Sequence, residues 1–561
     1  MNIDPSNPLI VQGDGSILLE TNHPKYEETR EFLALFAELE ASPDQLHKYS
    51  ITPVSLWNAA SSGNKAAAII EQLRGYSKFD VPQEVQHQIN ETITRYGLVK
   101  ITPHPTEPYA KFRLKFANSY INRIFEKNHR LREYMLEDEN KNWAIAGGHR
   151  GVFKQRALNE GWPVEDIGGF LDGDQMTIDL RETMQKNQKA FAPRSYQWEA
   201  VKTWYQEGHP SGGCGVVVLA CGAGKTIVGL TAMSLVKRKT LILATNQASV
   251  NQWIAEILDK TTISPDDIGG YTGETKEIRP VTVATYQIIT YRRSKDADFE
   301  HLHLFDDEDW GLVIYDEVHL LPAPVFGVTA SLQGRRRLGL TATLIREDGR
   351  EGDVFSLVGP KRYDLPWQQL QEQGHIATIS CHELRVPMKG KPAQQYQAAT
   401  KKDQFYIAST NPEKVNVIKH LLTEHNDDNV LIIGTYVDQL NRISQIIKAP
   451  LITGKTPNKK RDELFEQFRS GKIKVLVVSK VANFSIDLPD ANIGIQVSGS
   501  FGSRQEEAQR LGRILRPKAK AARFYTLVSS GTKEQEFAMK RQLFLTEQGY
   551  RYAIEDTAVT I

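Results

Sequence analysis

The chain has 561 residues, of which 40% are hydrophobic and 24% are charged. This length predicts roughly three or four domains, and the composition excludes a single small module and a globally disordered chain. Lysine and arginine number 69, and aspartate and glutamate number 68, for a net charge of +1. The chain as a whole therefore does not bind polyanions through its overall field. Residues 1–186 carry 21 basic and 26 acidic side chains, so the positive excess lies after residue 186.

The cysteine content indicates a reducing compartment. The three cysteines, Cys214, Cys221 and Cys381, have neither the number nor the spacing of a disulfide framework or a zinc site. The longest apolar run, 216–221, is far shorter than the ~18 residues that span a bilayer, and the N-terminus lacks a signal-peptide pattern. We therefore expect a soluble cytoplasmic protein with no membrane partner.

The first 186 residues predict two modules. Apolar residues at helical spacing predict helices over 25–40, 55–61, 65–73 and 83–96, and so a mainly helical domain over residues 1–100. Residues 101–186 predict an α+β domain with a basic helix over 111–132. That helix could touch DNA phosphates, but its interspersed acids favour a solvated face. A polar linker is expected over 181–189.

After this linker, short apolar strands alternate with helical segments. The pattern predicts strands at 214–220, 240–245, 281–285, 312–315 and 337–340, and again at 430–436, 474–478, 493–497 and 522–528. Such alternation is typical of parallel βαβ units. We therefore predict two tandem α/β domains, residues 187–362 and 363–561, the second with a helix-rich polar insertion.

A glycine-rich segment follows the first of these strands. Gly222-Ala223-Gly224-Lys225-Thr226 separates it from an apolar helix. The N–H groups of such a turn wrap a phosphate, the lysine neutralises β- and γ-phosphate oxygens, and the threonine hydroxyl can ligate Mg²⁺. The strict phosphate-loop pattern is not met, because Leu219 occupies its first glycine position. The segment nevertheless predicts an ATP site.

Two adjacent carboxylates, Asp316 and Glu317, follow the strand predicted at 312–315. Because the carboxyl ends of parallel strands meet at one sheet edge, both side chains are expected near the phosphates. Asp316 would hold Mg²⁺, and Glu317 would polarise the attacking water for displacement of the γ-phosphate. An Asp-Glu pair alone would indicate an ordinary surface; its position downstream of a phosphate loop predicts catalysis.

Three arginines of the second α/β domain recur at a spacing of three residues, at Arg510, Arg513 and Arg516. On a helix they share a face. Such a face could approach the phosphates bound by the first domain and act as arginine fingers. Standing alone, the pattern would favour an exposed basic helix.

The order of these motifs resembles that of superfamily 2 helicases, and their details resemble the XPB (xeroderma pigmentosum group B) branch in its bacterial form. The resembling strings are 194–197, 219–226, Asp316-Glu317-Val318-His319, 339–343, Leu344-Ile345-Arg346-Glu347-Asp348, 452–454, 478–480, 486–489 and 508–517. They cover residues 190 to about 530. Residues 1–186 resemble the N-terminal region of the same helicases less specifically.

The resemblance implies two RecA-like domains with ATP in their cleft, a thumb-like helical insertion near 392–422, and ATP-driven 3′ to 5′ DNA unwinding or duplex translocation. It also implies roles for individual residues: adenine recognition by Gln197 with Arg194 nearby, coupling of nucleotide and DNA by Thr341 and Thr343, the interdomain nucleotide edge by Asp487, γ-phosphate sensing by Gln509, Arg513 and Arg516, and action at the DNA fork by Arg346, Glu347 and Asp348.

Three interpretations of function stay open at this stage. The protein could unwind DNA as a helicase, track along duplex DNA and open it only locally, or act as an ATP-gated binding module in which hydrolysis resets a partner complex. The family's work beside nucleases in excision repair implies a repair role and a nuclease partner. We expect a monomer that binds DNA, ATP and Mg²⁺.

Overall fold

The computed structural model divides the chain into two compact units. The first comprises Met1–Glu38, Lys48–Leu219 and Gly224–Asp364, and the second Leu39–His47, Ala220–Ala223 and Leu365–Ile561. The described residues are 4–42, 45–107, 110–220, 222–294, 300–301, 304, 308–322, 325, 335–342, 350–375, 379–479, 491–499, 522–547 and 552–557.

The N-terminal hundred residues contain strands as well as helices. The strands are β1 (Leu9–Val11), β2 (Ser16–Glu20), β3 (Glu38–Ala41) and β4 (Leu46–Ser50), and the helices are α1 (Tyr26–Leu33), α2 (Pro53–Ser61), α3 (Ala66–Tyr76) and α4 (Gln83–Arg95). The single helix predicted over 25–40 is wrong in its second half. Leu39 is buried between two more exposed glutamates in β3, and this alternation satisfies a strand, whereas the helical spacing was only apparent.

The next module is a five-stranded sheet with three helices. Its strands are β5 (Val99–Pro103), β6 (Lys111–Phe116), β7 (Leu136–Glu137), β8 (Trp143–Ala146) and β9 (Val164–Asp166), in the order β7-β8-β6-β5-β9, and its helices are α5 (Ser119–Lys127), α6 (His129–Arg132) and α7 (Arg150–Asn159). The basic helix predicted over 111–132 therefore begins with a strand. Alternation buries Phe112 and Leu114 in β6, and α5 starts where the Asn118 side chain accepts the Tyr120 and Ile121 N–H groups.

A buried ionic cluster holds this module together. The Arg150 guanidinium is fully buried, binds both carboxylate oxygens of Asp166, and lies 4.3 Å from the Phe112 ring centroid. Lys154 Nζ lies 2.9 Å from the same carboxylate. Burial lowers the pKa of Lys154 to about 8. Burial alone would raise the pKa of Asp166, but the two cations outweigh it and lower that pKa.

Residues 172–185, which end in the predicted linker, run as an extended strap. Their backbone N–H groups donate to carbonyls of the following domain: Asp174 to Asp309, Met176 to Lys237, Arg181 to Lys260 and Gln185 to Asp259. Gly173 adopts φ +69°, and a Cβ there would lie 2.3 Å from the Gly311 nitrogen. This polar segment is therefore held by hydrogen bonds between its backbone N–H groups and carbonyls of the following domain.

The first α/β domain is a seven-stranded sheet flanked by helices. Its strands are β10 (Cys214–Leu219), β11 (Thr240–Ala244), β12 (Ile268–Tyr271), β13 (Val281–Thr285), β14 (Leu312–Asp316), β15 (Arg336–Thr341) and β16 (Lys361–Leu365), and its helices are α8 (Ser195–Tyr205), α9 (Lys225–Val236), α10 (Gln247–Lys260), α11 (Tyr286–Ile289) and α12 (Glu351–Leu357). The order is β12-β13-β11-β14-β15-β10-β16, and β10 to β15 pair in parallel.

The second unit contains another seven-stranded sheet. Its strands are β17 (Ile379–Val386), β18 (Val430–Gly434), β19 (Leu451–Ile452), β20 (Val475–Ser479), β21 (Ile493–Gln496), β22 (Ala522–Ser529) and β23 (Tyr552–Asp556), and its helices are α13 (Trp367–Glu372), α14 (Gly390–Ala398), α15 (Lys401–Ser409), α16 (Lys414–Glu424), α17 (Val437–Ile447), α18 (Asn458–Arg469) and α19 (Lys533–Glu547). The order is β19-β20-β18-β21-β22-β17-β23, with every neighbouring pair parallel.

The predicted fold class is confirmed by these two sheets, and the helices α14, α15 and α16 occupy the predicted helix-rich interval. A buried ion pair anchors that interval: Lys414 Nζ lies 2.8 Å from Glu534 and donates to the Val497 carbonyl. Among the helices of the described ranges, none combines the length and apolar character needed to cross a membrane.

Both N-terminal modules pack on α12. Trp57 of α2, Leu158 of α7 and Phe355 of α12 form one buried apolar cluster. Gln155 donates a side-chain hydrogen bond to Asp353, and the Lys361 N–H donates to Asn58 Oδ1 over 3.0 Å. Contacts from α2 and from α7 therefore hold the segment from α12 to β16.

The ionic cluster generates a stability prediction. Arg150→Met leaves the buried Asp166 carboxylate with only Lys154 as its cation, and breaking a buried pair in this way costs about 3–5 kcal/mol in the free energy of unfolding. Lys154→Met keeps the Arg150 pair and removes a buried ammonium, so we expect a change of less than ~1 kcal/mol at pH 7. Urea unfolding followed by hydrogen exchange of β5 and β6 measures both, with the exposed Lys115→Met as control.

The sign of the pH dependence provides a further check on this cluster. Since the pKa of Lys154 is about 8 in the folded protein, the unfolded chain binds more protons between this pH and the ordinary lysine pKa. The contribution of Lys154 to the free energy of unfolding therefore rises with pH across that window. Any advantage of Lys154→Met at pH 7 should shrink towards pH 10. An equal loss for Arg150→Met and Lys154→Met would contradict this account.

Candidate nucleotide-binding site

The glycine-rich segment forms a tight turn between β10 and α9. Gly222 has φ +84° and Gly224 has φ +82°, a left-handed conformation that favours glycine. Gly224 is the residue before the first turn of α9, and the Ala223 N–H donates to the Ala220 carbonyl over 3.1 Å. The turn thus delivers the chain to the N-terminus of a twelve-residue helix, where backbone N–H groups and the helix dipole favour an anion.

Gln197 lies beside this turn. Its side chain is 4% exposed, its Oε1 accepts the Arg194 N–H over 2.8 Å, and a Cβ on Gly224 would lie 2.5 Å from its Nε2. The Arg194 guanidinium donates to the Tyr196 hydroxyl over 3.2 Å. The structure therefore places both predicted adenine-recognition residues at the N-terminus of α8, with Gln197 against the loop.

Lys225 and Glu317 form the central ion pair of the site. Lys225 Nζ, in the first turn of α9, lies 3.2 Å from Glu317 Oε1, just after β14, and the two side chains are 11% and 17% exposed. Glu317 has φ +49°, a strained conformation for a side-chain-bearing residue, and such strain is concentrated at functional sites. This positive φ turns the backbone directly after Asp316.

Asp316 and Glu317 have opposite pKa shifts. Burial, reinforced by the neighbouring Glu317 charge, raises the pKa of Asp316. Burial also acts to raise the pKa of Glu317, but the Lys225 ammonium outweighs it and lowers that pKa. Glu317 is therefore held as a carboxylate, the form needed to orient a water molecule.

His319 connects this pair to β15. Its Nδ1 lies 2.6 Å from the hydroxyl of the fully buried Thr341 and 3.5 Å from Glu317 Oε2. Thr341 is a predicted coupling residue, and His319 lies between its hydroxyl and the Glu317 carboxylate. The remaining predicted site residues lie outside the described residues, as does Cys221. They are Thr343, Arg346, Glu347, Asp348, Asp487, Gln509, Arg510, Arg513 and Arg516.

Sequence reasoning missed Trp253 and Tyr286. Trp253 Nε1 donates to Asp316 Oδ2 over 3.0 Å, and the Tyr286 hydroxyl donates to the Asp316 carbonyl over 2.9 Å. Trp253 shares the buried face of α10 with Val250 and Ile257, so its spacing indicated only core packing. The available signal was its polar N–H, which needs a partner when buried.

The donor set suits a magnesium ion. The carboxyl groups of Asp316 and Glu317 are adjacent here, and carboxylate and hydroxyl oxygens such as those of Asp316 and Thr226 are ligands that Mg²⁺ prefers. Within the described ranges, no group of three or more His, Cys, Asp and Glu side chains could hold a metal ion. Mg²⁺ bound here would therefore take its remaining ligands from nucleotide phosphates and water.

Gly224→Ala tests the loop geometry. The left-handed backbone costs a non-glycine residue of order 1–3 kcal/mol, and the new methyl group would collide with Gln197. We expect ADP to bind about tenfold more weakly or worse, since 1.4 kcal/mol is a factor of ten. Fluorescence anisotropy of a labelled ADP measures this. Gly75→Ala, where a Cβ meets no atom within 4 Å, is the control; equal affinity of both variants would contradict the assignment.

Comparison with known proteins gives three matching family models. Residues 370–560 match the ERCC3/RAD25/XPB C-terminal helicase, residues 9–137 match a helicase conserved C-terminal domain, and residues 190–346 match the type III restriction enzyme res subunit.

Full-length relatives agree with these matches. The chain is 47% identical to a DNA 3′-5′ helicase XPB of Kineococcus radiotolerans, over 98% of this chain and 96% of the relative. It is also 47% identical to one of Mycobacterium tuberculosis, over 98% of each. A helicase/translocase subunit of general transcription and DNA repair factor IIH from Saccharomyces cerevisiae is 31% identical, over 98% of this chain and 72% of that protein. The chain belongs to the XPB family of helicases, and its two parallel-sheet domains are the RecA-like domains of that family.

Proposed function

We propose that the protein is an ATP-dependent DNA helicase that unwinds DNA in the 3′ to 5′ direction. The observation that carries the chemical part is the Lys225–Glu317 pair of 3.2 Å, which joins the start of α9 to the carboxylate that follows β14. The near full-length similarity to DNA 3′-5′ helicases supports the substrate and the direction.

The site residues define the hydrolytic step. Phosphates would bind the N–H groups at the start of α9, with Lys225 turned from Glu317 towards the β- and γ-phosphates and Gln197 on the adenine. Glu317, released from the ammonium, would orient a water molecule for in-line attack. Mg²⁺, held by Asp316 and Thr226, would supply neutralisation of the developing phosphate charge.

The second sheet domain would complete the cycle. We propose Gln509, Arg513 and Arg516 as γ-phosphate sensors and Asp487 as a contact to the nucleotide. ATP binding and hydrolysis would then alternate two states with different grips on DNA. Thr341 and Thr343 would couple the states to DNA, and Arg346, Glu347 and Asp348 would act at the fork. Contacts to the DNA backbone suffice for movement, so binding should weaken steeply with salt.

Two narrower alternatives share the same ATP site: a translocase that opens duplex DNA only locally, and an ATP-gated binding module. The factor IIH relatives, named helicase/translocase subunits, favour the former as second candidate. We also propose a cytoplasmic monomer that acts in nucleotide excision repair beside a nuclease.

Lys225→Ala and Glu317→Gln separate binding from chemistry. Lys225→Ala removes the phosphate cation, and we expect ATP turnover to fall about 100-fold or more. Glu317→Gln keeps the shape but cannot accept a proton, so turnover should fall by roughly 10²–10⁴ while ADP binding is retained. Steady-state ATPase assays and circular dichroism measure activity and fold. Lys202→Ala, an exposed lysine on α8, is the control; normal turnover in Lys225→Ala would refute the assignment.

ATPase rates without DNA, with single strands and with duplex distinguish the functional classes. A motor predicts marked stimulation by DNA, whereas a gated binding module predicts almost none. A 3′-tailed fork assayed beside a triplex substrate then separates unwinding from translocation, because triplex displacement without strand separation would exclude the helicase. We expect Arg346→Ala to keep DNA-stimulated hydrolysis and to impair fork unwinding.

A further inference from the structure

We propose that Trp253 is a positioning residue for Asp316: its indole N–H fixes one carboxylate oxygen and so orients the other towards the metal. This inference rests on the proposed function, because it assigns Asp316 to the metal. Trp253 itself touches neither the nucleotide nor the reacting phosphate in this scheme.

The geometry is that of a fixed hydrogen bond within the core. Trp253 is 2% exposed, and its Nε1 lies 3.0 Å from Asp316 Oδ2. Since an indole has a single N–H and no acceptor, its bond engages one carboxylate oxygen and leaves Oδ1 as the oxygen we assign to the metal. A neutral donor orients the carboxylate without the charge competition that a second lysine would bring.

The neighbouring helix is shaped around this ring. Gly229 lies four residues after Lys225, on the same face of α9, and a Cβ there would be 2.5 Å from Cη2 and 3.0 Å from Cζ3 of Trp253. Glycine weakens a helix interior, so its presence in α9 is explained by the space that the indole needs. The ring therefore packs directly against the helix that carries Lys225.

The backbone of Asp316 is held independently of its side chain. The Tyr286 hydroxyl, on α11, donates to the Asp316 carbonyl over 2.9 Å. Removing the indole donor should therefore free the carboxylate to rotate while the strand end stays in place. Donors behind a ligating group generally orient it in this manner, and their loss costs about 10–100-fold in metal affinity or activity.

Trp253→Phe tests the proposal, because phenylalanine keeps much of the ring and lacks the donor. We expect Mn²⁺, titrated by electron paramagnetic resonance with saturating ADP, to bind about 10–100-fold more weakly, with metal-free ADP binding unchanged. The Mg²⁺ concentration for half-maximal ATPase should rise in parallel, and excess Mg²⁺ should restore turnover. A purely structural role would instead lower thermal stability without changing Mn²⁺ affinity, and that result would overturn the proposal.

Two further measurements keep the inference separable from the proposed function. Asp316→Ala should lose Mn²⁺ binding; if it does not, the metal assignment fails, whereas a loss in Asp316→Ala without one in Trp253→Phe defeats only the role of Trp253. Should Trp253→Phe not fold, ¹⁵N-indole spectra of the unaltered protein decide. One indole N–H resonance should shift when Mg²⁺ is added to the ADP complex, and an unchanged spectrum would overturn the proposal.

Discussion

The candidate site depends on one ammonium, that of Lys225, which joins the start of α9 to the carboxylate that follows β14. Lys225 is nearly buried against Glu317, and Asp316 is the adjacent residue, so among the described residues two neighbouring carboxyl groups lie beside this ammonium. Burying charge without a partner is costly. The ion pair therefore stabilises the site as the structure shows it, and the proposed mechanism requires bound phosphates to draw Lys225 away from Glu317.

The sheet and the helices packed around this site hold its residues in place. The parallel sheet sets β10 and β14 so that their carboxyl ends face the same edge, and Gly229 of α9 leaves the space in which the indole of Trp253 reaches Asp316. In the same unit, α2 and α7 pack on α12, which immediately follows the segment proposed to act at the fork. The N-terminal modules thus contact the helix that directly follows this segment.

Sequence patterns predicted the parts of the fold in which burial follows a simple period. Strands with apolar residues at every position, such as β10 and β18, were located to within a residue or two. The prediction was wrong at residues 36–40, where the apolar residues fit both the helical and the strand period. It was also wrong at residues 111–119, where a strand precedes the helix. The loop, Lys225, Asp316 and Glu317 were predicted because glycine and paired carboxylates at strand ends have specific chemistry, and the structure brings Lys225 and Glu317 into contact. Trp253 was not, because its partner lies 63 positions away in sequence and only tertiary packing joins them.

The strap has a practical implication for dissecting the enzyme. Its N–H groups donate to the carbonyls of Asp309, Lys237 and Lys260, and Gly173 fits against Gly311 with no room for a methyl group. A shortened protein that began at residue 187 would present those carbonyls to solvent and lose the cluster under α12. Rates measured on such a fragment would therefore come from a domain whose backbone carbonyls and apolar surface are exposed to solvent, whereas the intact protein covers both.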